Sequence, residues 1–136
     1  MTKAQERALN PLESEEQAAL FEWAQVMEGR LPELRLLYHV PNGGLRNKAV
    51  AARLTAQGVK AGVPDICLPV ARKGYHGLYI ELKRRKGSKT TPEQDWWIRG
   101  LAEAGNFCQI CHGWESAVRA IEWYVGVARP IENGNY

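Results

Sequence analysis

The chain lacks any run of about 18 apolar residues, which excludes a membrane-spanning helix. Its opening stretch, MTKAQERALNPLESEEQ, has no apolar core and no small-residue cleavage site, so no secretory signal is expected. Cysteine is scarce: three residues without an export signal point to a reducing, cytoplasmic compartment rather than a disulfide scaffold. Neither a repeat at solenoid period nor a low-complexity tract occurs, which leaves a single domain as the simplest organisation. What is there is 136 residues with 45% apolar content, enough to bury a core without a metal or crosslink for support.

The formal charge of +3 conceals a segregation. Residues 1–45 carry four Lys/Arg against seven Asp/Glu, a balance of −3. Residues 46–99 carry twelve against four, or +8, and residues 100–136 carry two against four, or −2. A basic middle between acidic ends favours a polyanionic partner, although a solvated basic face would give the same count.

Residues 1–13 are expected as a flexible arm, 14–127 as the folded domain and 128–136 as a tail. Ser14 with Gln17 three residues on predicts a helix start, and Leu20, Trp23, Ala24 and Met27 recur at helical spacing up to Gly29. Arg35–Val40 reads as a strand, halted by the loop Pro41-Asn42-Gly43-Gly44, and Asn47–Gln57 as a second helix ended by Gly58. Asp65–Val70 and His76–Lys83 read as strands joined by an Arg72-Lys73-Gly74 turn, a hairpin. Thr91-Pro92 opens a third helix carrying Trp96, Trp97, Ile98 and Leu101. Asn106–Cys111 is a strand and Trp114–Gly126 the last helix. The order α-β-α-β-β-α-β-α predicts an α/β fold, an α-β-α sandwich around a mixed sheet of about four strands.

Alternation along the hairpin then carries the chemistry. Leu78, Ile80 and Leu82 share one face, while Glu81 and Lys83 share the other, about 7 Å apart at Cα. On the first strand Ile66, Leu68 and Val70 are the apolar set, leaving Asp65 to meet Glu81 beside Lys83. Two adjacent carboxylates repel unless a proton or cation intervenes, and hard oxygen donors suit Mg²⁺ or Mn²⁺. An ammonium nearby can orient a water or stabilise charge growing on a phosphate. Five Lys/Arg fall within residues 83–89.

Gly62-Val63-Pro64-Asp65 followed by Ile80-Glu81-Leu82-Lys83 resembles the PD-(D/E)XK nuclease superfamily. With Pro41-Asn42-Gly43-Gly44 upstream and Gln94 downstream, the pattern is similar to its VRR-NUC (virus-type replication-repair nuclease) branch over roughly residues 14–125. That resemblance implies a restriction-endonuclease-like fold and a Mg²⁺- or Mn²⁺-dependent deoxyribonuclease. The short stand-alone phage and bacterial members resemble Holliday junction resolvases and pair as homodimers. It implies Asp65, Glu81 and the main-chain carbonyl of Leu82 as metal ligands, Lys83 on the attacking water, and Gln94 orienting Lys83 or the scissile phosphate. A first-helix glutamate normally completes such a site, and Glu13, Glu15 and Glu16 are available. Glu16 lies on the Leu20–Trp23–Met27 stripe, Glu15 projects about 100° away, and Glu13 is expected to precede the helix, so Glu16 is chosen. Arg84, Arg85, Lys86 and Lys89 would grip DNA, as would Asn42, Gly43, Gly44 and Arg46 around the glycine turn. The expected activity is an endonuclease on structured or duplex DNA; a junction resolvase and a non-catalytic DNA-binding module are the alternatives.

Other signals compete less well. Cys108-Gln109-Ile110-Cys111-His112 matches the c-type haem attachment pattern, but a buried core strand explains it better, and no haem is expected. Trp23, Trp96, Trp97, Trp114 and Trp123 all fall on expected helices, where packing is a better account than base stacking. Only one of the adjacent Trp96 and Trp97 can point fully inward, leaving the other for a dimer interface or DNA. A structural role for His39 is at least as good as a catalytic one, since a metal and a lysine need no imidazole.

Overall fold

Two runs of alternating apolar residues on adjacent strands decide the architecture. In the computed structural model, which describes residues 1–41 and 47–127, strands β2 (Ile66–Leu68) and β3 (Leu78–Lys83) pair antiparallel, with Ile66 opposite Ile80 and Leu68 opposite Leu78. The turn between them is tight. Arg72 and Tyr75 exchange backbone hydrogen bonds across Lys73 and Gly74, both at positive φ (53° and 85°), the geometry that suits the strand twist.

The sheet has the order β1-β2-β3-β4. Strand β1 (Tyr38–His39) pairs antiparallel with β2, and β4 (Phe107–His112) runs parallel to β3. The parallel pair requires a crossover, supplied by helix α4 (Pro92–Glu103). Helices α2 (Glu13–Met27) and α5 (Trp114–Val125) lie together across one face, closing over Ile66, Leu68, Leu78, Ile80 and Leu82. Leu20 and Ala24 from α2 and Ala117, Ile121 and Tyr124 from α5 complete this core. The Tyr124 hydroxyl donates to the Val70 carbonyl at 2.6 Å, so the ring is buried with its polar end satisfied. Helix α3 (Lys48–Ala56), capped by Asn47 Oδ1 accepting from the Val50 N–H at 2.8 Å, has no buried residue.

Three expectations change. Residues expected as a loose arm contain helix α1 (Lys3–Leu9), capped by Thr2 and tethered by polar contacts: Arg7 pairs with Glu15, and the Asn10 side chain bonds the Lys86 backbone. The strand expected from Arg35 shrinks to two residues because Pro32–Leu36 coils into a 3-10 helix that turns Leu34 into the core. Helix α2 begins at Glu13 rather than after Ser14. Leu12 is its N-cap residue, and its N–H donates to the Glu15 carboxylate at 2.9 Å. That early start matters for the site.

Candidate active site

The face of the sheet opposite the α2–α5 core holds the charged groups. Asp65 ends the segment leading into β2, where its carbonyl accepts from the Val40 N–H at 2.7 Å and from His39 Nδ1 at 2.9 Å. A carbonyl only accepts, so Nδ1 of His39 carries the proton, and the ring serves to fix the Asp65 backbone. The Asp65 carboxylate in turn accepts from the Leu82 N–H at 3.0 Å, which aims it across the hairpin at Glu81.

Glu81 and Lys83 follow from the strand period and both are buried, with Nζ 3.6 Å from Glu81 Oε1. The same Oε1 accepts from Gln94 Nε2 at 2.9 Å. Gln94 is held there by its helix start: its Oε1 accepts from the Thr91 N–H, and its own N–H donates to the Thr91 hydroxyl. The cap expected at Thr91 therefore presents a glutamine to the carboxylate. Glu81 Oε2 is buried and has no hydrogen-bond partner among the described residues.

One oxygen each from Glu13, Asp65 and Glu81 lie within 4.8 Å of one another. Burial, then the Asp65 charge, pushes Glu81 up to about 8, with Lys83 opposing. The same causes in the same order raise Glu13. Three crowded carboxylates, one ammonium and an orphaned buried oxygen fit a divalent cation of the hard, oxygen-seeking kind.

The choice among the first-helix glutamates is corrected. Because α2 starts at Glu13, that residue is already helical and reaches the cluster. Glu16, one turn on, is 1% exposed but does not join the cluster, its oxygens being taken by other partners: it accepts from Arg85 Nε and Nη2 at 3.2 and 3.0 Å and from the Trp114 N–H at 2.8 Å. Glu15 points to Arg7 at 2.8 Å. Glu15 three residues after Leu12 was the readable signal for the earlier helix start, since a glutamate at that offset can accept from the N-cap amide.

The basic loop is less free than its composition implies. Arg84 donates to the Pro11 and Asn10 carbonyls, and Arg85 is shared between Glu16 and Glu115. Lys86 and Lys89 are exposed. Asn42, Gly43, Gly44 and Arg46 lie outside the described residues. Cys108 is half-buried and Cys111 fully buried, and burial pushes both thiols up to about 11. His112 Nδ1 lies 2.9 Å from the Arg84 carbonyl. Of the adjacent pair, Trp96 is the outward member, 67% exposed, while Trp97 is half-buried, and Trp123 is half-exposed under Lys73.

A four-stranded mixed sheet between helices, with acid, acid and lysine on its central hairpin, is a restriction-endonuclease-like fold. The chain belongs to the VRR-NUC family: residues 3–115 match the VRR-NUC domain, a span that includes α1. It is thus a member of a nuclease family. A solved structure described as a VRR_NUC domain protein is similar at 30% identity and a TM-score of 0.72, over 85% of this chain and 89% of that one. No curated protein matches the chain. Among the described residues, no helix is long and apolar enough to cross a membrane.

Proposed function

We propose that the protein is a Mg²⁺- or Mn²⁺-dependent deoxyribonuclease, an endonuclease acting on structured or duplex DNA. One observation carries the reading: the partnerless buried oxygen of Glu81, set among Asp65, Glu13 and Lys83. A buried carboxylate oxygen without a donor is costly unless a cation uses it. Asp65, Glu81 and Glu13 would hold the cation, with the Leu82 carbonyl as a further donor. When bound, it would neutralise charge on the phosphate and on the leaving oxygen.

The chain's own groups do the rest. Lys83 Nζ, buried against Glu81, donates hydrogen bonds to the attacking water and to a phosphate oxygen. Gln94 holds the Glu81 carboxylate in one rotamer, leaving Oε2 for the cation. Lys86 and Lys89 contact the DNA backbone without reading sequence, Arg84 and Arg85 shape their loop, and Asn42, Gly43, Gly44 and Arg46 extend the DNA-contacting surface. The protein works as a homodimer in the cytoplasm, that of a bacterial host if the chain is phage-encoded.

Cleavage of four-way junction, flap and linear duplex substrates with Mg²⁺ and with Mn²⁺ tests this. Cleavage that needs the cation and is lost in Asp65→Ala supports the proposal. Full activity of Asp65→Ala in Mg²⁺ would overturn it, and DNA binding without cleavage of any substrate would leave a binding module. Preference for the junction would identify a resolvase.

A further inference from the structure

Glu16 is nearly inaccessible, carries a charge, and takes no part in the carboxylate cluster. Its two oxygens join three separate elements. Oε1 receives both Nε and Nη2 of Arg85, two residues beyond Lys83, and Oε2 receives the Trp114 N–H at the first turn of α5. The preceding residue, Gly113, donates its N–H to the Lys83 carbonyl at 3.0 Å. Glu16 therefore reaches the Lys83 backbone from both sides, through Arg85 along the chain and through Gly113 across it. Gly113 itself sits at φ +88°, and a Cβ there would stand 3.0 Å from Glu16 Oε2 and 3.3 Å from Arg85 Cγ. The backbone comes that close only because the residue has no side chain.

On its own helix Glu16 follows Glu13 by three residues, so the two project from one face of α2. Glu13 has an oxygen within 4.8 Å of Asp65 and Glu81 oxygens, against the Asp65 charge, and among the described residues no hydrogen bond holds its carboxylate there. Something must hold the helix end in place. Arg84 holds the chain just before it, through the Pro11 carbonyl, and Glu16 holds the turn just after Glu13.

We infer that Glu16, with Arg85, is a positioning residue that sets Glu13 and Lys83 in register for cation binding. The inference rests on the metal-dependent reading above, but it can fail separately. Glu16→Gln keeps an oxygen for the Trp114 N–H and removes the charge that grips Arg85. Mn²⁺ binding to the DNA-free protein, followed by calorimetry, should weaken about 10-fold in Glu16→Gln and similarly in Arg85→Gln. The double variant should lose no more than either single one, because both break one link. In cleavage assays the Mg²⁺ concentration for half-maximal rate should rise by a like factor while KM for DNA stays within about twofold.

Glu33→Gln is the control. Glu33 pairs with Arg72 at 3.2 Å away from the cluster, so its loss should leave Mn²⁺ affinity unchanged. Unchanged Mn²⁺ affinity in both Glu16→Gln and Arg85→Gln, with only Tm lowered, overturns the inference and leaves a purely structural ion pair. Wild-type protein that binds Mn²⁺ yet cuts no DNA overturns the nuclease reading, while the calorimetric comparison still decides this one. Wild-type protein that binds no Mn²⁺ overturns both.

Discussion

Glu16 and Glu81 are each 1% exposed, yet they occupy opposite electrostatic situations. Glu16 has a guanidinium on one oxygen and a backbone N–H on the other. Glu81 has Gln94 and a longer contact to Lys83 on one oxygen, no hydrogen-bond partner among the described residues on the other, and a second carboxylate beside it. A folded protein keeps a satisfied buried charge for what it ties together. It keeps an unsatisfied one for what that charge will bind, since stability alone would remove it. Burial by itself does not separate the two; the partners of each oxygen do.

The largest effects should appear where the unsatisfied cluster is dismantled. Lys83→Ala and Asp65→Ala are each expected to lower the single-turnover cleavage rate by at least about 10²–10³-fold, with DNA binding retained in a mobility-shift assay. Glu81→Gln should be as inactive but more stable than wild type without metal, raising Tm by roughly 3–6 °C, because a neutral amide replaces a carboxylate that its surroundings disfavour. Glu16→Ala should do the reverse. It strands the Trp114 N–H and releases Arg85, costing about 1–3 kcal/mol in denaturant unfolding. If Glu81→Gln lowers Tm as Glu16→Ala does, the contrast between the two glutamates collapses.

A pH series sharpens it further. Folding raises Glu81 from 4.5 to about 8, so between those values the folded state binds more protons than the unfolded one. Metal-free stability should accordingly fall as pH rises from about 5 to 8. Added Mn²⁺ should raise Tm more at pH 8 than at pH 6, and Glu81→Gln should flatten both trends. The smallest effect belongs to the exposed lysines: Lys89→Ala should weaken DNA binding alike across sequences and reduce the salt slope by about 1.

Much of this was legible because it depended on neighbours in the chain. Strand alternation put Glu81 and Lys83 on one face, the Lys73-Gly74 turn returned β3 against β2, and Thr91-Pro92 with Gln94 three residues after Thr91 announced a capped helix. The misreading of Glu13 had a local cause as well. The expected start at Ser14 excluded it from the helix, although Leu12 and Glu15 already cap one that includes it. The basic loop is a different case. Five cations in seven residues look like one contact surface, but the fold brings Glu16 and Glu115 to Arg85 and the Asn10–Pro11 carbonyls to Arg84. Nothing local to residues 83–89 encodes those partners.

By itself the amino-acid order determined the mixed α/β sandwich, the hairpin, and the placing of an acid and a lysine on the polar face of its second strand. These follow from periods of 2 and 3.6 residues and from turn and cap chemistry, all acting within about a dozen positions. Only the tertiary structure decided which glutamate of α2 joins the carboxylates, which arginines remain free for a partner, and that one oxygen of Glu81 is left without a donor. Each of those depends on contacts between residues 17–98 positions apart, whose geometry is set when α2, β3 and α5 pack together.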